Sequence, residues 1–378
     1  MFTFPTIDIS KEYGILAVTL NNFVCITFEG HNTSMTISEI AKLAEVSIGT
    51  VDRVLHNRGR VAPETIKKVM AIVDDYGYQP NTYARNLKLS KQYTIGVLLP
   101  QLHSEFGYWN LIYEGILKAA KELYPLAVRI DLAQFDRSQQ GSLLKEGEAL
   151  LKRKVDALLL APVVPDDARL LVGKKHCVDY VFIDSPLPQT NPVSTVVQNP
   201  FRGGYLAGRM MHLLNPKGGA LLTIQTYRSA YNSKERARGF SQYFADKGQY
   251  RSYELEIQAN ADIGQSLDAF YRVHQDLSGI FVVNDAIHRI ADRVLLLGRK
   301  SQTTMIGYDL VEPNRKAMLA GSVDCLISQR PEYQGYTAVY QLYRKGLLSQ
   351  EAEPTICVPI DVILPENLVD EQDWCPKS

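Results

Sequence analysis

Apolar positions along the chain keep two different rhythms, and the change between them divides the sequence. Ile37, Ile40, Ala41 and Ala44 recur at three- and four-residue spacing, which puts them on one face of a helix and predicts a first short helix ending near Ala44. Thr36 and Glu39 frame its start as a T-x-x-E capping box. Glu45 and Val46 make a tight turn, and Ser47 is a favourable N-cap for a second helix. Val51, Val54 and Leu55 give that helix one apolar face, and Gly59 stops it. A third helix is predicted from Pro63 in its first turn, Glu64 at its positive end, and Ile66, Val69, Met70 and Val73 at helical period. The run DDYGYQPN ends it. Three short helices with converging apolar faces make a small domain over 35–81, the first two joined as a helix-turn-helix pair.

From Tyr93 onward the rhythm is different. The runs YTIGVLLP, AVRIDLAQF, VDALLLAP, DYVFIDSP, GALLTIQT, YELEIQ, GIFVVND, TMIGYDL and CLISQR are nearly continuous in Val, Ile and Leu and alternate with helical stretches. Such runs imply parallel strands covered on both faces, built from strand-helix-strand units. About ten strands are expected, too many for one sheet of ordinary size, so two lobes are predicted. The first 34 residues fit neither rhythm. They could supply one or two strands, carry no assigned function, and read as an upstream over-extension of the reading frame, because Met35 directly precedes the first helix.

The polar face of the second helix needs a chemical explanation. A helix-turn-helix lets the start of its second helix enter a major groove. There Gly49 allows close approach, Arg53 can donate to guanine or to a phosphate, and Ser47 and Thr50 can bond phosphate oxygens. Asp52 can only accept, from a cytosine amino group or from Arg53, which it would hold in place. Ile48 is either core or a contact to a thymine methyl. Thr36, His56 and Asn57 complete the candidate DNA-facing set on the head.

Composition adds limits to this picture. The chain has 378 residues, 46% hydrophobic and 22% charged, with 41 basic against 41 acidic side chains, which is ordinary for a globular protein of two or three domains. The charge is uneven: Met35 to Lys91 holds nine Lys or Arg against six Asp or Glu, an excess that suits a DNA-facing surface or a solvated face. Five cysteines, Cys25, Cys177, Cys325, Cys357 and Cys375, are widely spaced with no C-x-x-C, so neither a disulfide framework nor a zinc site is expected. The longest N-terminal apolar stretch is broken by Asn21 and Asn22 and lacks a basic leader, which points to a cytoplasmic protein with no membrane partner. No P-loop, G-x-S-x-G or H-E-x-x-H is present, FRGGYLAG is not a dinucleotide loop, and the seven histidines lack ligand spacing. No catalytic residue, cofactor or metal is expected.

The segment from MTISEIAKLAEVSIGTVDRVLHNRGR to KQYTIGVLLP resembles the head of the lac repressor and purine repressor family, over Met35 to Pro100. The pattern V-S-x-x-T-V-x-R-V-L followed by Y-x-P-N carries the resemblance. Glu45 departs from a turn glycine and Asp52 from a serine found in many members; the second is expected to change the DNA sequence that is read. The resemblance implies a hinge helix over 82–91, formed on DNA, that places Leu87 as a wedge in a central minor-groove step, with Tyr83, Arg85 and Lys88 beside it. The alternative is a linker helix whose Tyr83, Leu87 and Leu89 cap the next domain.

Residues 92–365 resemble the type I periplasmic sugar-binding fold, two doubly wound lobes, followed by a tail over 366–378. The resemblance implies an aromatic pair, Tyr108 and Trp109, against a sugar face, and effector contacts from Asp184, Arg236, Asn284, Asp285, Asp309 and Gln329. Most of these follow predicted strands, and ligands of open α/β sheets bind at strand C-terminal ends. Each also has a structural reading. Asp184 and Asp309 could satisfy loop amides, Asp285 could cap the next helix, Arg236 could pair with charges near Glu235, and the aromatics could be core.

The implied α/β protein is a homodimeric regulator that binds a pseudo-palindromic operator and senses a small molecule, a pentose, hexose or inositol-like polyol. The alternatives are an extracytoplasmic solute-binding protein, which leaves the head without a role, and a sugar-modifying enzyme.

Overall fold

The computed structural model describes residues 15–20, 23–28, 37–55, 59, 61–76, 92–102, 107–174, 178–226, 230–257 and 263–368. They belong to two compact units that divide between Thr82 and Tyr83.

In the smaller unit, β1 (Ile15–Leu20) and β2 (Phe23–Phe28) pair as an antiparallel hairpin with Leu20 opposite Phe23. Helices α1 (Ile37–Ala44), α2 (Ile48–Leu55) and α3 (Pro63–Asp75) follow. Glu45 ends α1 with a φ of 55°, and the Val46 amide donates to the Ala41 carbonyl at 3.0 Å. Ser47 caps α2, its hydroxyl accepting from the Thr50 amide at 3.1 Å. Ile40, Ala44, Val51, Val54, Val69 and Val73 form the core. The third helix departs from the expected stripe: Ile66 and Met70 are each 38% exposed, and Ile72 packs inward with Val69 and Val73. Two eight-residue helices cover only a narrow seam of a longer one, so the margins of its apolar stripe stay in solvent.

The larger unit holds two six-stranded sheets. In the first, β3 (Tyr93–Pro100), β4 (Val128–Phe135), β5 (Ala157–Leu160), β6 (Asp179–Ile183), β7 (Ser194–Val197) and β13 (Thr355–Cys357) lie in the order β13-β7-β6-β5-β3-β4. All neighbours are parallel. In the second, β8 (Gly219–Gln225), β9 (Tyr250–Glu256), β10 (Leu277–Val282), β11 (Thr304–Tyr308), β12 (Cys325–Ser328) and β14 (Asp361–Ile363) lie in the order β14-β12-β11-β10-β8-β9. Here only β14 is antiparallel to its neighbour.

Both sheets are covered on both faces, which is why their strands read as unbroken apolar runs. Ile95, Val97 and Leu99 of β3 pack with α4 (Tyr108–Leu123) and α12 (Pro331–Gly346), while Leu98 faces α5 (Ser142–Lys152) and α6 (Pro165–Val172). Leu221 of β8 packs with α7 (Pro200–Leu214) and α8 (Tyr231–Phe244). Its neighbour Leu222 meets α9 (Ile263–Val273), α10 (Ile287–Leu296) and α11 (Glu312–Leu319).

Three segments cross between the lobes: 198–199, 329–330 and 358–360. Buried Gln198 ties them together, its Nε2 donating to the Ser328 carbonyl at 2.9 Å and the Pro359 carbonyl at 3.2 Å. Each lobe also contains one close helix crossing. A Cβ on Gly115 of α4 would overlap the Glu332 carbonyl of α12, and one on Gly204 of α7 would overlap the Arg236 carbonyl of α8.

Candidate functional site

On the head, the second helix presents a small polar surface. Ile48 is 55% exposed, which removes it from the core, and Gly49 and Arg53 are exposed beside it. A Cβ at Gly49 would meet the Arg53 guanidinium and the Ser47 hydroxyl only at ordinary contact distance, 3.9 Å each. Ser47 and Thr50 bond each other through their hydroxyls at 2.9 Å, and Asp52 and Thr50 are half-buried at the margin. Thr36, His56, Asn57, Tyr83, Arg85, Leu87 and Lys88 lie outside the described residues.

The larger unit draws most of its expected residues to one place, between the C-terminal ends of its two sheets. Asp184 follows β6 and Asp309 follows β11, both in the left-handed region with φ of 70° and 63°. This conformation turns the chain sharply at the strand end, and aspartate is among the residues that tolerate it. Asp184 accepts from the Tyr108 hydroxyl at 3.0 Å and the Ser185 hydroxyl at 2.7 Å. Across the cleft, Arg236 donates to the Val283 carbonyl at 2.8 Å and to Gln329 Oε1 at 2.9 Å, and its guanidinium lies 3.7 Å from the centre of the Tyr308 ring. Gln329 Nε2 in turn donates to Asp309 Oδ2 at 3.1 Å.

Two further hydrogen bonds span the lobes. The Asn232 amide donates to the Asp184 carbonyl at 3.0 Å, and the Tyr108 backbone N–H donates to Asp285 Oδ2 at 3.3 Å. Asp285 therefore does not cap α10: Ala286 occupies that position, with no side-chain cap. Nor does Arg236 pair with a neighbouring acid; Glu235 pairs with Arg238. Asn284 stands aside, donating to Thr226 on the adjacent strand end. Trp109 is half-buried and meets Tyr108 edge to face at 5.0 Å, and Tyr108 itself belongs to the core of the first lobe.

Burial dominates the electrostatics. It pushes the Asp309 carboxyl up to about 7, with Arg236 opposing and the charges of Asp285 and Asp184 adding to the rise. Burial likewise raises the Tyr308 phenol to about 12 and holds that of Tyr108 well above its ordinary value. Several buried atoms have no partner: Asp309 Oδ1, Asn232 Oδ1, Arg236 Nε and the Tyr308 hydroxyl. Unpaired buried polar atoms are costly and call for a partner that completes them.

Asn232, Gln334 and Tyr308 were not expected here. Gln334 accepts from the Asp184 amide at 3.2 Å and donates to the Gln329 carbonyl at 2.9 Å, linking the two strand ends. Asn232 lies one helical turn before Arg236, a spacing that could have marked it, and Tyr308 is adjacent to Asp309. Gln334 lies within a helix and carries no such signal. Among the described residues no helix is long and apolar enough to cross a membrane, and no group of three or more His, Cys, Asp or Glu could hold a metal.

Residues 36–81 match the family described as bacterial regulatory proteins, lacI family, and residues 95–347 match the periplasmic binding protein domain. The chain is similar to the HTH-type transcriptional repressor PurR of Aliivibrio fischeri, 27% identical over 296 residues, 73% of this chain and 82% of that protein. It is also similar to the catabolite control protein A of Priestia megaterium, 25% identical over 285 residues, 73% and 82% of the two chains. Among solved structures, a putative LacI transcriptional regulator from Bacteroides fragilis superposes with a TM-score of 0.69 at 26% identity, covering 76% of this chain and all of that one. A glucose-galactose binding protein from Geobacillus stearothermophilus, at 20% identity and TM-score 0.66 over 74% of this chain and 99% of that one, shares the fold of the larger unit. A solute-binding role would leave the matched head unused. The chain belongs to the lacI family of bacterial regulatory proteins, a DNA-binding transcription regulator rather than an enzyme, with a periplasmic binding protein domain as its larger unit.

Proposed function

We propose that this regulator acts in the cytoplasm as a homodimer on a pseudo-palindromic operator and that the cleft of its larger unit senses a sugar or related polyol. The head would read bases through the exposed face of α2, with Arg53 as the principal donor and Ser47 and Thr50 on phosphates. Residues 82–91 would act as the hinge, with Leu87 in the minor groove. The observation that carries the effector reading is the set of unpaired buried atoms around Asp184, Arg236 and Asp309. A hydroxyl both donates and accepts, so a polyhydroxylated molecule can complete carboxylate, amide, guanidinium and phenol together.

The test begins with the operator, recovered by sequencing the genomic fragments that the full-length protein retains. Arg53→Ala is expected to weaken that operator by about 1–3 kcal/mol and to relax preference at one base pair. Arg236→Ala is expected to leave operator affinity in place and to abolish its response to free sugars and polyols. Equal losses by Arg53→Ala on operator and on random DNA would make Arg53 a phosphate contact. Loss of operator binding by Arg236→Ala would make that residue structural.

A further inference from the structure

Among the described residues the cleft has an unbalanced charge. Arg236 is the one Lys or Arg buried among the described residues, whereas the carboxylates of Asp184 and Asp309 are both buried and that of Asp285 is half-buried beside them. The guanidinium is already engaged by neutral groups of the protein: one Nη donates to the Val283 carbonyl, the other to Gln329, and one face lies on Tyr308, which spends two of its five N–H groups before any ligand enters. Of the other unpaired atoms, Asn232 Oδ1 is an acceptor and requires a donor from the ligand. A phosphate dianion or a carboxylate has no donor to give.

Helix α4 sharpens the argument. Its first residue, Tyr108, lies at the cleft, and Gly107 before it provides no side-chain cap. The free N–H groups and positive dipole end of such a helix are a natural seat for a ligand's anionic group. The first of those N–H groups is already engaged: the carboxylate of Asp285, from the opposite lobe, accepts from the Tyr108 N–H.

We infer that the cleft excludes anionic effectors, selecting a non-ionic polyol or free sugar over its phosphate ester or uronate, and that Asp285 enforces the choice by occupying the α4 N-terminus with the protein's own carboxylate. This rests on the reading of the cleft as the effector site. An entering anion would have to displace Asp285 and then sit among like charges, an arrangement that works strongly against binding.

The experiment uses the full-length protein and matched probes: D-ribose with ribose 5-phosphate, D-glucose with glucose 6-phosphate and D-glucuronate, and myo-inositol with inositol 1-phosphate. Binding is read by equilibrium dialysis with mass-spectrometric quantitation. The wild type is expected to bind at least one free compound and to prefer it over its anionic counterpart by about a hundredfold or more. Asp285→Asn, which keeps the shape and removes the charge, is expected to narrow that preference by about tenfold or more. A wild type that binds the phosphate or uronate as well as the free compound overturns the inference. A preserved preference in Asp285→Asn overturns the role of Asp285. Binding of none of the probes fails the effector reading itself, and the inference falls with it.

Discussion

Asp309 shows how one buried side chain couples the cleft to pH. It is 2% exposed, and burial lifts its carboxyl from an ordinary value near 4 to about 7. The folded state therefore holds this proton more tightly than the unfolded chain does. The resulting stabilisation is present in full below about pH 4 and is lost as the pH rises through about 7, at up to about 1.4 kcal/mol per pH unit. Urea denaturation of the ligand-free protein at pH 5 and pH 7.5 should show this decline. Asp309→Asn, which cannot titrate, should flatten it, and equal slopes in both proteins would mean that Asp309 is not protonated in the folded state. The same residue carries a left-handed backbone, as do Asp184 and Glu45. Conformations of this kind cluster at functional sites, and the two aspartates fit that pattern, whereas Glu45 only replaces a turn glycine and holds Lys68 at 3.1 Å on the surface.

At the scale of elements, the position of Arg236 depends on how closely α7 and α8 cross. Gly204 allows the crossing, because any side chain there would overlap the Arg236 carbonyl, and Gly239 does the same against Phe201. Gly204→Ala should force the helices apart at a cost of about 1–3 kcal/mol and move Arg236 away from Val283 and Gln329. The expected result is a lower melting temperature with a disproportionate loss of effector affinity. Gly147→Ala, which instead crowds Leu171 and Leu98 in the core beneath α5, is the control for a steric cost away from the cleft residues. Equal affinity losses would show that the α7–α8 crossing has no special hold on the cleft.

These crossings also explain what could be read from sequence. Strands of four or more apolar residues, and helices with a clear seam, were legible because burial on one or both faces writes a period into the chain. Of the strands in the larger unit, β7, β13 and β14 were not: β7 is half Ser and Thr, and the other two are three residues long. Asp184, Arg236, Asp309 and Gln329 were legible as candidates from their places around strand ends and the family resemblance. Their partners Asn232 and Gln334 were not, since a hydrogen bond between residues 48 or 150 positions apart leaves no local pattern.

At the scale of the larger unit, the three crossing segments held by Gln198 form a hinge between lobes, and hydrogen bonds bridge the cleft in front of it. The Asn232–Asp184 and Tyr108–Asp285 bonds span it, each worth about 0.5–1.5 kcal/mol net. An effector that binds between the lobes acts in the same direction, by favouring the closed arrangement, and it can shift the equilibrium only by its differential affinity for that arrangement. Asn232→Ala removes one bridge and should shift the lobes toward opening by about 1 kcal/mol, roughly fivefold in population. Energy transfer between one dye on each lobe, measured without effector, should fall in the variant. A consequence for DNA follows whichever way the effector works. If closure and operator affinity are linked, the effector-free variant must move operator affinity opposite to the change that the effector produces in the wild type. A release-type regulator should then show tighter operator binding in Asn232→Ala, and a corepressed one weaker binding. A variant that opens the lobes yet leaves operator affinity unchanged would break the link between closure and DNA binding, and the effector would have to act through some other difference between its bound and free states.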